Sequence, residues 1–236
     1  MASNTELDNT QLGSAEMIKT ESELLLEQFC RDVGLLLLPI PTETRAARRT
    51  PDYELALREL RVVVEVKQID PNREEVKAKQ AHTAYGELLA FEDNIPGSRL
   101  RGKISKAAKQ LHTRCEHEQP GLVVVYNNVR FRPVLTSEHN ILAALYGRLA
   151  ISLTIPRTGP IISEPRLTGN RSFIHNQNTV VSALGILSQQ QPTELAIYHN
   201  NYARVPIDPD LFRIARVQQY RHYPAEPDAR PGWAEI

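Results

Sequence analysis

Three residues in the first third of the chain have the types and spacing of a metal-dependent catalytic site. Glu65 and Lys67 stand two residues apart at the end of a Val-Val-Val run, and Asp52 stands upstream, directly after Pro51. Side chains two residues apart on a strand share a face, so Glu65 and Lys67 point one way and Val66 points the other. We predict that Asp52 belongs to an adjacent hairpin strand and lies beside Glu65.

Two carboxylates and an amine at the edge of an apolar sheet favour a divalent cation site. Neighbouring carboxylates repel each other and are costly to desolvate unless a cation lies between them. Hard oxygen ligands suit Mg²⁺ or Mn²⁺, which stabilises developing phosphate charge and lowers the pKa of a bound water. In this hypothesis Asp52 and Glu65 bind the metal and Lys67 positions or activates the water. The alternative is a surface hairpin in which Glu65 and Lys67 form an ordinary ion pair.

The surrounding pattern predicts the elements that position these residues. A helix over 20–33 is capped by Thr20 or Ser22 and ends at Gly34. The β-branched run is typical of a strand buried on both faces, and its short separation from Asp52 indicates an antiparallel hairpin. Residues 35–40 form either a short buried strand or a loop. Further helices are predicted over 71–91, 103–115 and 138–149, and strands over 51–55, 61–66, 122–126, 178–187 and 194–198.

With these elements in place, Pro51-Asp52 and Glu65-Val66-Lys67 resemble the motif of the PD-(D/E)XK nuclease superfamily. The order of helix, motif-bearing hairpin, helices and strand over about 20–127 is also similar to that family. The resemblance implies an α/β (mixed α+β) fold with a restriction-endonuclease-like core, in which a central mixed β-sheet is flanked by helices.

The same resemblance implies roles for individual residues. It makes Asp52 and Glu65 metal ligands, makes Lys67 catalytic, and adds a glutamate from the first helix. Glu23 and Glu27 are the candidates for that glutamate, and we favour Glu27, which neighbours the apolar stripe of the helix. Some members of the family keep a polar residue directly after the lysine, and Gln68 stands there. The predicted catalytic set is Asp52, Glu65, Lys67, Glu27 and Gln68.

A basic segment follows the motif. No acidic residue occurs between Asn94 and Cys115, although the whole chain has equal numbers, 28 each, of basic and acidic side chains. This segment is therefore a local positive patch, of the kind that contacts phosphates, or else simply a solvated helix face. The resemblance implies that a Gln or Lys of this helix faces the site, and Lys106 and Gln110 fit. The predicted nucleic-acid-binding residues are Arg99, Arg101, Lys103, Lys106 and Gln110.

Composition predicts an ordinary soluble protein, since 41% of residues are hydrophobic and 24% are charged. The two cysteines lack zinc spacing and predict reduced, buried thiols. The first residues do not resemble a signal peptide, and no apolar run has the roughly 20 residues that span a membrane. We therefore expect a cytoplasmic protein. We predict a disordered segment over 1–15, one domain over 16–223 with a sheet extension from about 128, and a Pro-rich tail over 224–236.

These observations predict a Mg²⁺- or Mn²⁺-dependent endonuclease that hydrolyses phosphodiester bonds, with DNA as the expected substrate. The alternatives are a non-catalytic nucleic-acid-binding or regulatory protein that keeps the fold, and a structural protein with a fortuitous motif. The sequence leaves open DNA versus RNA and endonuclease versus exonuclease action. Residues 128–236 carry no recognisable recognition motif and are left to supply a recognition surface or a homodimer interface.

Overall fold

One mixed sheet of eight strands organises the chain. The computed structural model describes residues 19–41, 50–85, 95–115, 119–157, 159, 161–163, 166–188, 190–223 and 232–236. The strands of this sheet are β1 (Leu36–Pro39), β2 (Tyr53–Leu57), β3 (Leu60–Ile69), β4 (Gly121–Asn127), β9 (Val181–Leu187), β10 (Leu195–His199), β11 (Val217–Tyr223) and β12 (Gly232–Glu235). Their spatial order is β1-β2-β3-β4-β9-β10-β11-β12.

The centre of the sheet is parallel and its flanks contain antiparallel pairs. Strand β2 pairs antiparallel with β1 and β3, whereas β3, β4 and β9 run parallel. Strand β10 is antiparallel to β9, parallel to β11, and β11 is antiparallel to β12. The predicted mixed α/β class with a central mixed sheet is confirmed, as are the hairpin and the pairing of the strands predicted over 178–187 and 194–198.

Within the described residues, four helices flank the sheet. They are α1 (Glu21–Asp32), α2 (Arg73–Tyr85), α3 (Ser98–Leu111) and α4 (Glu138–Leu145). Helix α1 begins with a capping box, in which Thr20 accepts from the Glu23 amide and the Glu23 side chain accepts from the Thr20 amide. It ends before Gly34, whose φ of +74° few other residues adopt readily. The predicted start and end of this helix are confirmed.

The helices cover both faces of β3. Val62, Val63 and Val64 have 0%, 0% and 1% of their surface exposed, as predicted for a strand buried on both sides. Val62 and Val64 pack in one core with Leu26 and Phe29 of α1. Val63 packs in the other core, which contains the apolar residues of α3 and α4. Alternation along β3 therefore sends every second side chain towards α1 and the others towards α3.

Helix α3 begins five residues before the predicted start at 103. The Gly97 amide donates to the Oδ1 atom of Asn140 on α4 at 2.6 Å, and this contact anchors the turn that opens α3. Helix α4 ends at Leu145 rather than at 149, because Gly147 has a φ of +103° and turns the chain into a strand at Arg148. The described part of the predicted helix over 71–91 ends at Tyr85, and its continuation lies outside the described residues.

The second half adds features that the sequence analysis did not predict. Strand β11 is one, and its polar sequence Val-Gln-Gln-Tyr-Arg-His-Tyr gave little strand signal. In the predicted tail over 224–236, Gly232–Glu235 forms β12 and pairs with β11, so this part belongs to the sheet. Residues 224–231, and the segment 1–15 predicted to be disordered, lie outside the described residues. Cys30 and Cys115 are both buried free thiols, as predicted.

Candidate active site

Asp52 lies directly before β2 and forms hydrogen bonds with the backbone of β3 on both sides of Glu65. The Asp52 amide donates to the Val64 carbonyl at 3.2 Å, and the Val66 amide donates to Oδ2 of Asp52 at 2.9 Å. These bonds join Asp52 to the residues immediately before and after Glu65. The register pairs Tyr53 with Val64, so its continuation by one residue brings Asp52 to the level of Glu65. The predicted neighbourhood of the two acidic residues is present.

Glu65 and Lys67 form a direct ion pair on the face of β3 that points towards α3. The Glu65 side chain is 1% exposed and the Lys67 side chain is 19% exposed. The Lys67 ammonium donates to Oε1 of Glu65. A carboxylate this deeply buried requires a cationic partner or several hydrogen-bond donors. The pair is therefore not the ordinary surface ion pair of the alternative interpretation.

Helix α3 contributes a third side chain to this group. The Lys67 ammonium also donates to Oε1 of Gln110 at 2.8 Å. Lys103 and Lys106 precede Gln110 by seven and four residues, so the three side chains share one side of α3. The structure thus brings together Asp52, Glu65, Lys67 and Gln110 and aligns two further lysines with them.

The pKa of Lys103 is affected by burial and by the charges around this side of α3. Burial lowers the pKa of Lys103, and the charges of Lys106, Lys67 and Arg99 lower it further, against the opposing effect of Asp70. Four cationic side chains therefore influence one another beside the candidate site. An anion that entered this group would relieve their mutual repulsion.

Glu27 and Gln68 lie apart from this group. Glu27 on α1 accepts from the Tyr53 hydroxyl at 2.8 Å and from Lys19 at 2.6 Å. Burial raises the pKa of Glu27, but the hydrogen bonds from Lys19 and Tyr53 outweigh it and hold the pKa below its usual value. Oε1 of Gln68 accepts from the Ser22 amide at the start of α1. Both side chains therefore belong to the α1 face of the hairpin, opposite Glu65.

Both of the predicted phosphate-binding arginines make contacts within the protein. Arg99 pairs with Glu75 of α2 at 2.7 Å. Arg101 donates to the carbonyls of Pro96 at 3.1 Å and Ala143 at 3.0 Å, and so points towards α4 rather than towards Lys67. Of the predicted nucleic-acid-binding set, Lys103, Lys106 and Gln110 lie on the site face of α3.

Sequence reasoning did not identify the ion cluster that supports this side of the site. Glu75 is 1% exposed and accepts from Arg99 and, at 2.6 Å, from Arg132. It also forms a capping box with Asn72 at the start of α2. The Asn-x-x-Glu spacing was a visible signal for the cap, but no local pattern marks Arg132 as the partner of Glu75.

The donor set fits a hard divalent cation. Asp52 and Glu65 supply carboxylate oxygens at facing positions of the β2–β3 hairpin, and Mg²⁺ commonly takes one or two carboxylates with water and substrate phosphate. Within the described ranges no three His, Cys, Asp or Glu side chains converge.

Comparisons of the chain with protein-family models, with curated proteins and with solved structures returned no match. The class established by the structure is a mixed α/β protein with an eight-stranded sheet flanked by helices. None of the helices in the described part of the chain has the length and apolar character required to cross a membrane.

Proposed function

We propose that this protein is a Mg²⁺- or Mn²⁺-dependent nuclease that hydrolyses phosphodiester bonds of DNA, with an endonucleolytic mode of attack. One observation carries the proposal: a buried carboxylate, Glu65, pairs with Lys67 on the interior strand β3, next to Asp52, which is anchored to the backbone that flanks Glu65. The resemblance to the PD-(D/E)XK motif gives this arrangement its chemical interpretation.

Each residue of the candidate site would have a separate role in hydrolysis. Asp52 and Glu65 would hold the metal, which when bound supplies Lewis acidity and a water of lowered pKa. Lys67 would position the attacking water and stabilise negative charge that develops on the phosphate. Gln110 holds the Lys67 ammonium from α3, so the lysine is restrained from two sides before substrate arrives.

The site side of α3 supports a polyanionic substrate. Lys103 and Lys106 stand about two turns and about one turn from Gln110 on the same side of the helix, and the charge of Lys67 affects the pKa of Lys103. A phosphate backbone lying along this side would approach Lys67 with cations on its flank. Because the net charge of the whole chain is zero, such local positive charge would determine where on the protein the substrate binds.

The proposal is tested by cleavage of supercoiled plasmid, linear duplex, single-stranded DNA and RNA in Mg²⁺, Mn²⁺ or EDTA. We expect cleavage of circular DNA that requires the metal. Lys67→Ala should lower the rate by about 10²–10⁴-fold, the usual contribution of a general acid–base group. The matched control is Lys77→Ala, which removes an exposed lysine of α2 and should leave the rate unchanged.

The outcome also distinguishes the alternative functions. Cleavage by the wild type that Lys67→Ala does not reduce would overturn the catalytic assignment. DNA binding without cleavage under any metal condition would favour a non-catalytic nucleic-acid-binding protein. Requirement for a free end in every substrate would replace the endonucleolytic mode by an exonucleolytic one.

A further inference from the structure

A two-stranded ribbon projects from the sheet between α4 and β9. Strand β5 (Arg148–Ala150) pairs antiparallel with β8 (Arg166–Thr168), and β6 (Leu153–Thr154) pairs antiparallel with β7 (Ile161–Ile162). The Gly159 amide donates to the Pro156 carbonyl at 3.1 Å in the connecting turn. We call residues 148–168 the arm. Its base packs against α4 through β5.

The outer part of the arm exposes apolar side chains. Ile151 and Leu153 are each 58% exposed, Ile162 is 69% exposed and Ile155 is 75% exposed. Exposed apolar groups concentrated on one projecting element mark an interaction surface more often than chance solvent exposure. The arm therefore needs a partner that accepts apolar side chains.

The charge of this region indicates the chemistry of that partner. From 139 to 193 the chain contains four arginines and a single acidic residue, Glu164. Arg148, Arg157 and Arg166 belong to the arm, and all three are exposed. A second copy of the arm would bring like charges together, whereas a polyanion would be complementary to it.

A cavity of about 640 Å³ lies at the base of the arm. Its lining includes Arg101 and Ser105 of α3 together with Asn170 and Arg171, which follow the arm. The guanidinium of Arg148 reaches the same place, because a Cβ atom at the lining residue Gly169 would lie 3.6 Å from its Nε atom. We call this the arginine cavity.

The arginine cavity holds concentrated positive charge. Burial lowers the pKa of Arg101, and the nearby charge of Arg148 lowers it further. Across the ranges that the structure describes, no carboxylate forms an ion pair with Arg101, Arg148 or Arg171. Guanidinium groups bind phosphate oxygens in paired hydrogen bonds, so a phosphate is the ligand that this cavity fits.

The arginine cavity and the candidate active site lie on two sides of one helix. Ser105 lines the cavity and Gln110 contacts Lys67, and five residues of helix separate them by about 8 Å along the axis. Five residues also turn the helix by about 140°, so the arginine cavity and the candidate active site are separate surfaces of α3.

We infer that the arm and the arginine cavity form a duplex-DNA-binding site distinct from the catalytic residues. Backbone phosphates occupy the arginine cavity, and the arm enters a groove of the flanking duplex. A two-stranded ribbon has the width of the major groove, and apolar side chains of such elements contact base edges or wedge between base steps. The inference rests on the proposed function only in taking DNA as the ligand, and it requires no cleavage.

The test is a measurement of affinity for a fluorescent 30-base-pair duplex in EDTA at several salt concentrations. One variant carries Arg148→Gln and Arg171→Gln, and a second replaces residues 151–165 by an Asn-Gly turn that joins Ala150 to Arg166. We expect each to weaken binding by about tenfold or more. The double variant should also reduce the magnitude of the salt slope by about 2, since the slope is about 0.9 per phosphate contact.

The control is Arg213→Gln, which removes an exposed arginine from the opposite face of the sheet and should leave affinity unchanged. Thermal unfolding checks that each variant is folded. If the arm replacement does not fold, the double arginine variant still tests the inference. Unchanged affinity and slope in a folded double variant would overturn the inference. So would an arm replacement that changes only the sedimentation of the protein, since the arm would then join two copies.

This experiment separates the two proposals. Binding that depends on the arm in a protein that cleaves nothing would defeat the nuclease proposal and support this one. Metal-dependent cleavage with arm-independent binding would give the opposite result.

Discussion

The Nζ atom of Lys67 donates a 2.8 Å hydrogen bond to Oε1 of Gln110, and this contact links the candidate catalytic residues of β3 to helix α3. It restrains the flexible lysine side chain against a second element of the fold. Since α3 also carries Lys103 and Lys106, the bond sets the position of the lysine relative to the basic side of the helix.

Replacement of Gln110 by leucine should lower kcat for plasmid cleavage by about tenfold and change KM little. The variant keeps the side-chain volume but removes the oxygen that restrains Lys67, so positioning suffers while substrate binding does not. Gln110→Glu retains an acceptor and should recover part of the rate. Steady-state kinetics with both variants measure this effect. A loss confined to KM would assign Gln110 to substrate binding instead.

Asp52→Asn should separate the structural role of this residue from its chemical role. The amide oxygen can still accept from the Val66 amide, so the melting temperature should remain close to that of the wild type. Loss of the negative charge should reduce metal-dependent cleavage by about a hundredfold or more. Asp52→Ala loses both functions and should also lower the free energy of unfolding by about 1–3 kcal/mol. Full activity in Asp52→Asn would remove Asp52 from the proposed metal site.

Sequence patterns predicted the local part of this architecture. The valine run of β3 and the period of two placed Glu65 and Lys67 together, and the paired strand placed Asp52 near them. The placement of Glu27 was not predictable in this way, because it depends on which face of the hairpin α1 covers. Arg101 is a similar case, since its direction follows from the docking of α3 on α4 through Gly97 and Asn140.

The strands after β10 were harder to predict because their burial is partly polar. Gln219 of β11 is 4% exposed and faces His199 of β10, with 3.0 Å between its Oε1 atom and the His199 Nε2 atom. A polar residue satisfied by a neighbouring strand carries no hydrophobic signal in its own segment. Such pairs become visible only when the tertiary neighbours are known.

Glu75→Gln should destabilise the protein strongly at neutral pH, by about 3–5 kcal/mol, because it leaves Arg99 and the buried Arg132 without their shared anion. Burial raises the pKa of Glu75, but the bonds from the Asn72 amide and Arg132 and the charges of Arg99 and Arg132 hold it below its usual value. A lowered carboxyl pKa contributes stability above the unfolded-state value, and this contribution is lost as the pH falls through the native value. The difference between wild type and variant should therefore shrink below about pH 4.

Urea unfolding at pH 7 and at pH 3.5 measures that difference. Glu74→Gln is the matched control, since Glu74 is the exposed neighbour on α2. A difference that stays constant with pH would show that Glu75 acts through packing rather than through its charge.

Gly97→Ala should lower the free energy of unfolding by about 2–5 kcal/mol, the combined cost of a left-handed backbone and an overpacked contact. Gly97 has a φ of +71°, and a Cβ atom there would lie 2.5 Å from the Ala144 amide nitrogen. Gly102→Ala is the control within the same helix, because a Cβ atom there would meet nothing within 4 Å. That control should gain up to about 1 kcal/mol from helix propensity. Equal effects of the two substitutions would contradict the tight junction between α3 and α4.

The outermost strand has a consequence for how the protein can be observed. Trp233, the one tryptophan of the chain, lies in β12, with its ring 4.8 Å from that of Tyr198 and 5.8 Å from that of Tyr146. Four strands separate β12 from β3. Intrinsic indole fluorescence consequently reports on the detachment of β12 and is a remote probe of β3, the strand that carries Glu65. A fluorescence melt that precedes the loss of circular dichroism would signify fraying at that border while the opposite half of the sheet stays intact.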